Sequence, residues 1–187
     1  MSALEPRRQI AIHPHPLAVQ KLEILKRQAK RDAVDPIVVR LASRIVRPFA
    51  PDEWWKMASE IFRWVRDAIK YQHDPDRTEE FQDAAAIIDR GWDDCDGKAK
   101  TAVAMMRALG LDAEIVPHWR NGQLAHVSIR VRFPGSERHP SSVRGWLYGE
   151  TTVRGAELGD NLKRIAPNPN TGKIPLSGGA HVRGLVE

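Results

Sequence analysis

The sequence is short of several things, and each shortage excludes something. Of 187 residues one is cysteine, so no intramolecular disulfide and no site built from several thiolates can form. No apolar run approaches the roughly 18 residues that a membrane span requires, and no membrane partner is expected. Met1 to Ile10 lacks the apolar core of a secretory signal, which leads to the expectation of a cytoplasmic protein. No internal repeat is visible. Aromatic residues make up 6% of the chain, and none interrupts the basic stretch from Lys21 to Arg47. The first fifty residues hold ten Lys and Arg against four Asp and Glu, while the whole chain carries +5. Without aromatic rings on which bases could stack, this bias reads as the solvated face of two helices, and nucleic acid is not an expected partner.

What is present is a run of helix signals followed by strand signals. Arg7-Arg8 and His13-Pro14-His15-Pro16 read as an extended arm; two histidines between prolines, with no acidic or cysteine neighbour, are not a metal site. Leu17 to Ala33 has the spacing of an amphipathic helix. Asp35-Pro36 starts another, with Asp at the cap and Pro in the first turn, and Ile37, Leu41 and Ile45 give it an apolar stripe. Pro51-Asp52-Glu53 opens a third, carrying Trp54, Ala58, Ile61, Val65 and Ala68 to about Tyr71. After a loop at Gln72 to Asp76, Thr78 to Arg90 is expected to be helical. Beyond Gly110, Ala113 to Trp119 and Leu124 to Phe133 read as strands joined by an Asn121-Gly122 turn. Trp146 to Thr151 reads as a third strand. Helices first and an antiparallel meander second make the fold class α+β.

Chemistry concentrates at Gly91-Trp92-Asp93-Asp94-Cys95-Asp96-Gly97-Lys98-Ala99. Ala99, Ala102, Val103, Met106 and Leu109 follow at helical spacing, and Gly110 stands where a C-terminal glycine belongs. Cys95 therefore opens a buried helix, where unpaired amides and the positive dipole end favour a thiolate. A thiolate nucleophile needs an imidazole to move its proton and a third group to orient that imidazole. His126 qualifies, near the start of the most regular strand and opposite its apolar residues. His118 and His139 are weaker candidates. Glu150, ending the next strand, can stand beside His126. A zinc site from Asp93, Asp94, Cys95 and His126 would be rich in carboxylate with one thiolate, an unusual set, so neither metal nor cofactor is expected.

These residues resemble a known family. Asp94-Cys95-Asp96-Gly97-Lys98-Ala99 heading a helix that ends Arg107-Ala108-Leu109-Gly110-Leu111 is similar to the core of transglutaminase-like cysteine proteins. So are Ala125-His126-Val127, Trp146 with an acid four residues later, and the upstream Trp64 to Tyr71 with Asp74. The likeness spans roughly residues 55–155 and is nearest to bacterial and tailed-phage members. It implies a papain-like fold, with the cysteine helix packed on an antiparallel sheet. It also implies a triad, carried here by Cys95, His126 and Glu150, acting on a protein or peptide amide by hydrolysis or acyl transfer. Oxyanion donors are expected from the Cys95 amide and one side chain, with Trp92, Gln82 and Gln72 as candidates. Residues 1–50 would then be a basic arm with helices, 51–155 the core, and 156–187 an irregular tail. Two positions depart from the family pattern. Asp93 stands where glycine is usual, adding charge beside a thiol that must ionise, and Glu150-Thr151-Thr152 replaces Asp-Pro-Thr. The alternative these departures suggest is a catalytically weak or inactive scaffold, with phage structural proteins as partners and a virion-associated location.

Overall fold

The structure, a computed structural model, describes residues 10–12, 18–74, 79–120 and 123–160. The His13 to Pro16 segment, the Asn121-Gly122 turn and residues beyond 160 lie outside that description. Ile10–Ile12 form β1, and Ala18–Asp32 form α1, which buries Leu22, Leu25 and Ala29. Pro36–Val46 form α2, where Asp35 accepts the Ile37 amide at 2.8 Å and Pro36 opens the first turn. The buried line of α2 is Val38, Ala42 and Val46, one position on from the expected stripe.

Trp54–Ala68 form α3, which starts after the Pro51-Asp52 turn rather than on it and buries Ala58, Ile61, Phe62 and Val65. It stops short of Tyr71, because Lys70–Tyr71 form a strand, β2. The expected helix over Thr78 to Arg90 is half strand: Glu79–Phe81 form β3 and only Ala84–Arg90 form α4. Pairing decides this, since β3 runs antiparallel to β1 with Ile10 opposite Phe81.

Gly91 ends α4 at φ +74°, a left-handed conformation that suits glycine. Trp92–Asp93 form β4, parallel to β2. Cys95–Ala108 form α5, in which every residue from Asp96 to Met106 is buried. Asp112–Arg120 and Gln123–Arg132 form the long strands β5 and β6, and Leu147–Gly149 form β7. These three make one antiparallel sheet in the order β5-β6-β7, with Ile115 opposite Ile129 and Ile129 opposite Gly149.

The architecture is α+β. One core joins helices α1 to α5 to the sheet, through Leu25, Ala42, Phe62, Ile87, Val103, Val127, Ile129 and Leu147. Residues after Thr151 belong to it as well. Val153, Ala156 and Leu158 are buried, and the Gly159 amide donates to Tyr148 at 2.7 Å. These residues, up to Asp160, are thus packed on the domain without helix or strand. Among the described residues no helix is long and apolar enough to cross a membrane.

Candidate active site

Two lysines fix the helix that carries the cysteine. Lys98 is fully buried, and its ammonium donates to the carbonyls of Val65 and Arg66 at 2.9 and 3.0 Å and to that of Ile69, the end of α3. A cation on the last carbonyls of a helix is favourably placed, although burial draws its pKa down to about 8. Lys100 donates to Gln28 on α1 and to the Gln82 carbonyl ahead of α4. Both lysines are internal ties.

The first turn of α5 is built by its acids. Asp94 is the N-cap, accepting the Asp96 amide at 2.8 Å and the Gly97 amide at 3.3 Å. Asp93 does not sit against the thiol as its place in the sequence suggests. It turns back over the helix, 1% exposed, where Oδ2 accepts Arg90 at 2.6 Å and Oδ1 accepts the Asp94 amide at 2.7 Å. A Cβ on Gly97 would lie 2.1 Å from the Asp93 carboxyl carbon, so glycine is required for this approach.

Negative charge reaches the thiol from Asp96 and Asp94 instead. Burial is the largest cause of a Cys95 pKa well above the ordinary value, followed by these two carboxylates. The thiol donates to Asp96 Oδ1 at 3.5 Å, and the Val127 amide on β6 donates to the sulfur. Asp96 Oδ2 is paired with Lys21 of α1 at 2.5 Å. Burial and the carboxylates of Asp96, Asp74 and Asp93 push Asp94 up to about 8.

On the sheet, His126 Nε2 lies 2.6 Å from Glu150 Oε2. Glu150 is 1% exposed, and its second oxygen accepts the Thr152 amide at 2.9 Å and hydroxyl at 2.7 Å. Both carboxylate oxygens are thereby satisfied, which a buried carboxylate requires. A carboxylate can only accept, so this contact orients Nε2–H of the imidazole toward Glu150. His118 stands directly across from His126, with ring centres 5.6 Å apart, and meets Ser128 Oγ at 2.7 Å. Burial, then His126, lowers the His118 pKa.

The structure brings His126 and Glu150 into contact, and it sets Cys95 against the backbone of the residue after His126. The thiol's side-chain hydrogen bond is to Asp96 and not to His126. Of the candidate oxyanion donors, Trp92 lies under the Arg90 guanidinium at 3.8 Å, the Gln82 backbone carbonyl accepts from Lys100, and Gln72 is exposed with its backbone amide donating to the Asp93 carbonyl. None of these bonds reaches Cys95. Tyr71 was not foreseen as a site residue. Half-exposed on β2, its phenol is pushed upward by burial and then by Cys95, Asp94, Asp96 and Glu150.

Ligand atoms of Asp94, Cys95 and Asp96 lie within 4.8 Å of one another, close enough to share a cation. Asp94 is already engaged as a cap and Asp96 by Lys21, so the donor set is committed within the chain. Among known proteins, the family model for the transglutaminase-like superfamily matches residues 39–148. No curated protein and no solved structure matches the chain.

Proposed function

The chain belongs to the transglutaminase-like superfamily, and on that premise we propose that it is a thiol enzyme acting on an amide of a protein or peptide. Cys95 is the nucleophile, His126 the general base and then acid, and Glu150 the group that orients the imidazole, on a papain-like arrangement of α5 against the β5-β6-β7 sheet. The observation that carries this reading is the 2.6 Å bond from His126 Nε2 to a fully buried Glu150. A carboxylate is costly to bury unless it serves hydrogen bonds that hold it.

In the proposed reaction His126 Nδ1 takes the thiol proton as the sulfur attacks the acyl carbon. The carbonyl oxygen becomes an oxyanion at the start of α5, where the cap serves the Asp96 and Gly97 amides and not that of Cys95. Collapse breaks the C–N bond, His126 protonates the departing amine, and a thioester remains. Water then gives a peptidase and a second amine gives acyl transfer. Glutamate replaces the usual aspartate with one more methylene, and the Thr152 amide and hydroxyl hold its far oxygen.

The test is labelling by a thiol-directed acyl probe together with amide turnover on a peptide library, wild type against Cys95→Ala and His126→Ala. Labelling and turnover that both variants lose would support the reading; turnover that survives in both would overturn it. A second reading draws on the thiol bond to Asp96 and the raised thiol pKa. In it the chain is an inactive scaffold, with structural proteins of a tailed-phage particle as partners. Absence of probe labelling and of turnover in the wild type would favour it.

A further inference from the structure

Helix α1 lies outside the matched residues 39–148, yet it delivers a charge to the thiol site. Lys21 Nζ reaches Asp96 Oδ2 at 2.5 Å, with 16% and 7% of the two side chains exposed. The other Asp96 oxygen takes the Cys95 thiol at 3.5 Å. Lys21, Asp96 and Cys95 thus form a line in which one carboxylate is shared between an ammonium and a thiol. The anchor for this line is strong. One residue beyond Lys21, Leu22 enters the core, followed by Leu25 and Ala29, and Gln28 of the same helix is bonded to Lys100 and to the Phe81 carbonyl.

We propose that Lys21 is a positioning residue of the thiol site, which acts through Asp96 to free Cys95 for attack. The proposal rests on the reading of Cys95 as the nucleophile. A bare carboxylate beside a thiol holds its proton in place, and a carboxylate paired on its far oxygen holds it less. The charged and titratable groups that act on the thiol are Asp96 of α5, the N-cap Asp94 and Lys21 itself, and Tyr71 of β2 also interacts with Cys95; the His126–Glu150 pair and His118 stand on the neighbouring sheet. To this largely acidic set Lys21 adds an ammonium, which opposes the upward push of the carboxylates on the thiol.

Because Cys95 is the sole cysteine, alkylation by iodoacetamide reports on it alone, whether or not any amide is turned over. The experiment compares alkylation rate constants at pH 8 for the full chain and its variants. Loss of the Lys21 ammonium raises the thiol further, and at the low end of the effect of an opposite charge this removes about tenfold of thiolate. The more basic thiolate recovers part of this through a Brønsted slope of about 0.4–0.5. Lys21→Met is therefore expected to react about three- to fourfold more slowly, and Lys21→Arg at close to the wild-type rate. Asp96→Asn, which removes the carboxylate, is expected to react at least threefold faster. In the Asp96→Asn background, Lys21→Met is expected to change the rate less than about 1.5-fold, since contacts in one line couple strongly.

An unchanged rate in Lys21→Met overturns the proposal. So does an equal loss in the Asp96→Asn background, which would mean that Lys21 acts by some other route. Should Lys21→Met fail to fold, the Asp96→Asn arm decides alone, and no acceleration there sinks the relay. A protein that alkylates as described but turns over no amide would refute the enzyme reading and leave the relay standing.

Discussion

Replacing Gly97 by alanine sets two effects against each other. Helix propensity favours the change, by about 0.8–1 kcal/mol for alanine over glycine in a helix interior. The site opposes it. The new Cβ would stand 2.1 Å from Asp93 Cγ and 2.3 and 2.5 Å from its oxygens, where carbon contacts settle near ~3.5–4.0 Å. Asp93 cannot step aside freely, because Arg90 holds it at 2.6 Å and the Asp94 amide at 2.7 Å in a fully buried position. Overpacking costs about 1–3 kcal/mol, and breaking a buried ion pair about 3–5 kcal/mol. Partial relaxation along both routes leaves a net loss of roughly 2–4 kcal/mol after the propensity gain. For a chain of this size that corresponds to a fall in Tm of about 5–15 °C. Reversible urea unfolding and calorimetry of wild type and Gly97→Ala measure it. An alanine variant as stable as wild type, or more so, would refute the placement of Asp93 over the first turn of α5. The same substitution made in an Asp93→Ala background should be neutral or stabilising, because the obstacle is gone while the propensity gain remains.

Other outcomes follow from the same geometry. Lys98→Ala empties a buried site and strands the carbonyls of Val65, Arg66 and Ile69, with an expected loss of roughly 3–5 kcal/mol in denaturant unfolding. Lys98→Met should lose less, because it keeps the volume. Glu150→Ala removes the His126 acceptor and leaves the Thr152 amide and hydroxyl without theirs. Amide turnover is expected to fall by about 10²-fold or more, the lower range for a group that serves acid–base catalysis, with kcat carrying most of the loss. Turnover within twofold of wild type would remove Glu150 from the mechanism. The thiol is raised by burial and by Asp96 and Asp94, and the thiolate fraction grows with pH for as long as pH stays below the thiol pKa. Alkylation of Cys95 should therefore still be accelerating at pH 9, and a plateau below pH 8 would contradict the assigned surroundings.

Much of the framework was legible where a residue type has a single local use. Asp35-Pro36 marks the start of α2, Gly110 adopts the left-handed backbone its position implies, and the alternation from Leu124 to Phe133 is β6. The sequence was silent where distant chain decides. Apolar residues cover so much of α2 that periodicity admits Ile37-Leu41-Ile45 and Val38-Ala42-Val46 equally well, and packing selects the second. Glu79–Phe81 carry no strand signal of their own and are extended because Ile10–Ile12 lie alongside. The His126 and Glu150 pairing could be read from strand order, because neighbouring strands of a meander place such residues side by side. Lys21 could not. Its partner is 75 positions away in sequence, and neither end of the pair lies in a pattern that names the other.

The arrangement has a common cause in the burial of α5. A helix enclosed on all sides has no solvent face on which to leave polar groups, so each of its lysines must find acceptors inside the protein. Lys98 finds carbonyls at the end of α3, and Lys100 the Gln28 side chain of α1 and the Gln82 carbonyl, and in doing so they fix α3, α1 and the β3–α4 connection around one axis. That leaves the first turn of α5 as the end where polar side chains gather, and there the chain places Asp93, Asp94, Cys95 and Asp96. Burial and two of these acids, Asp96 and Asp94, hold the thiol well above its ordinary pKa. Each carboxylate is given its own partner, which tempers that charge: Arg90 of α4 for Asp93, the helix's own amides for Asp94, and Lys21 of α1 for Asp96. The first two assignments stabilise the helix start and would be needed whether or not Cys95 reacts. The third joins α1 to the first turn of α5 and stands one carboxylate away from the sulfur, which is why the reactivity of Cys95 is the property in which the loss of Lys21 should register.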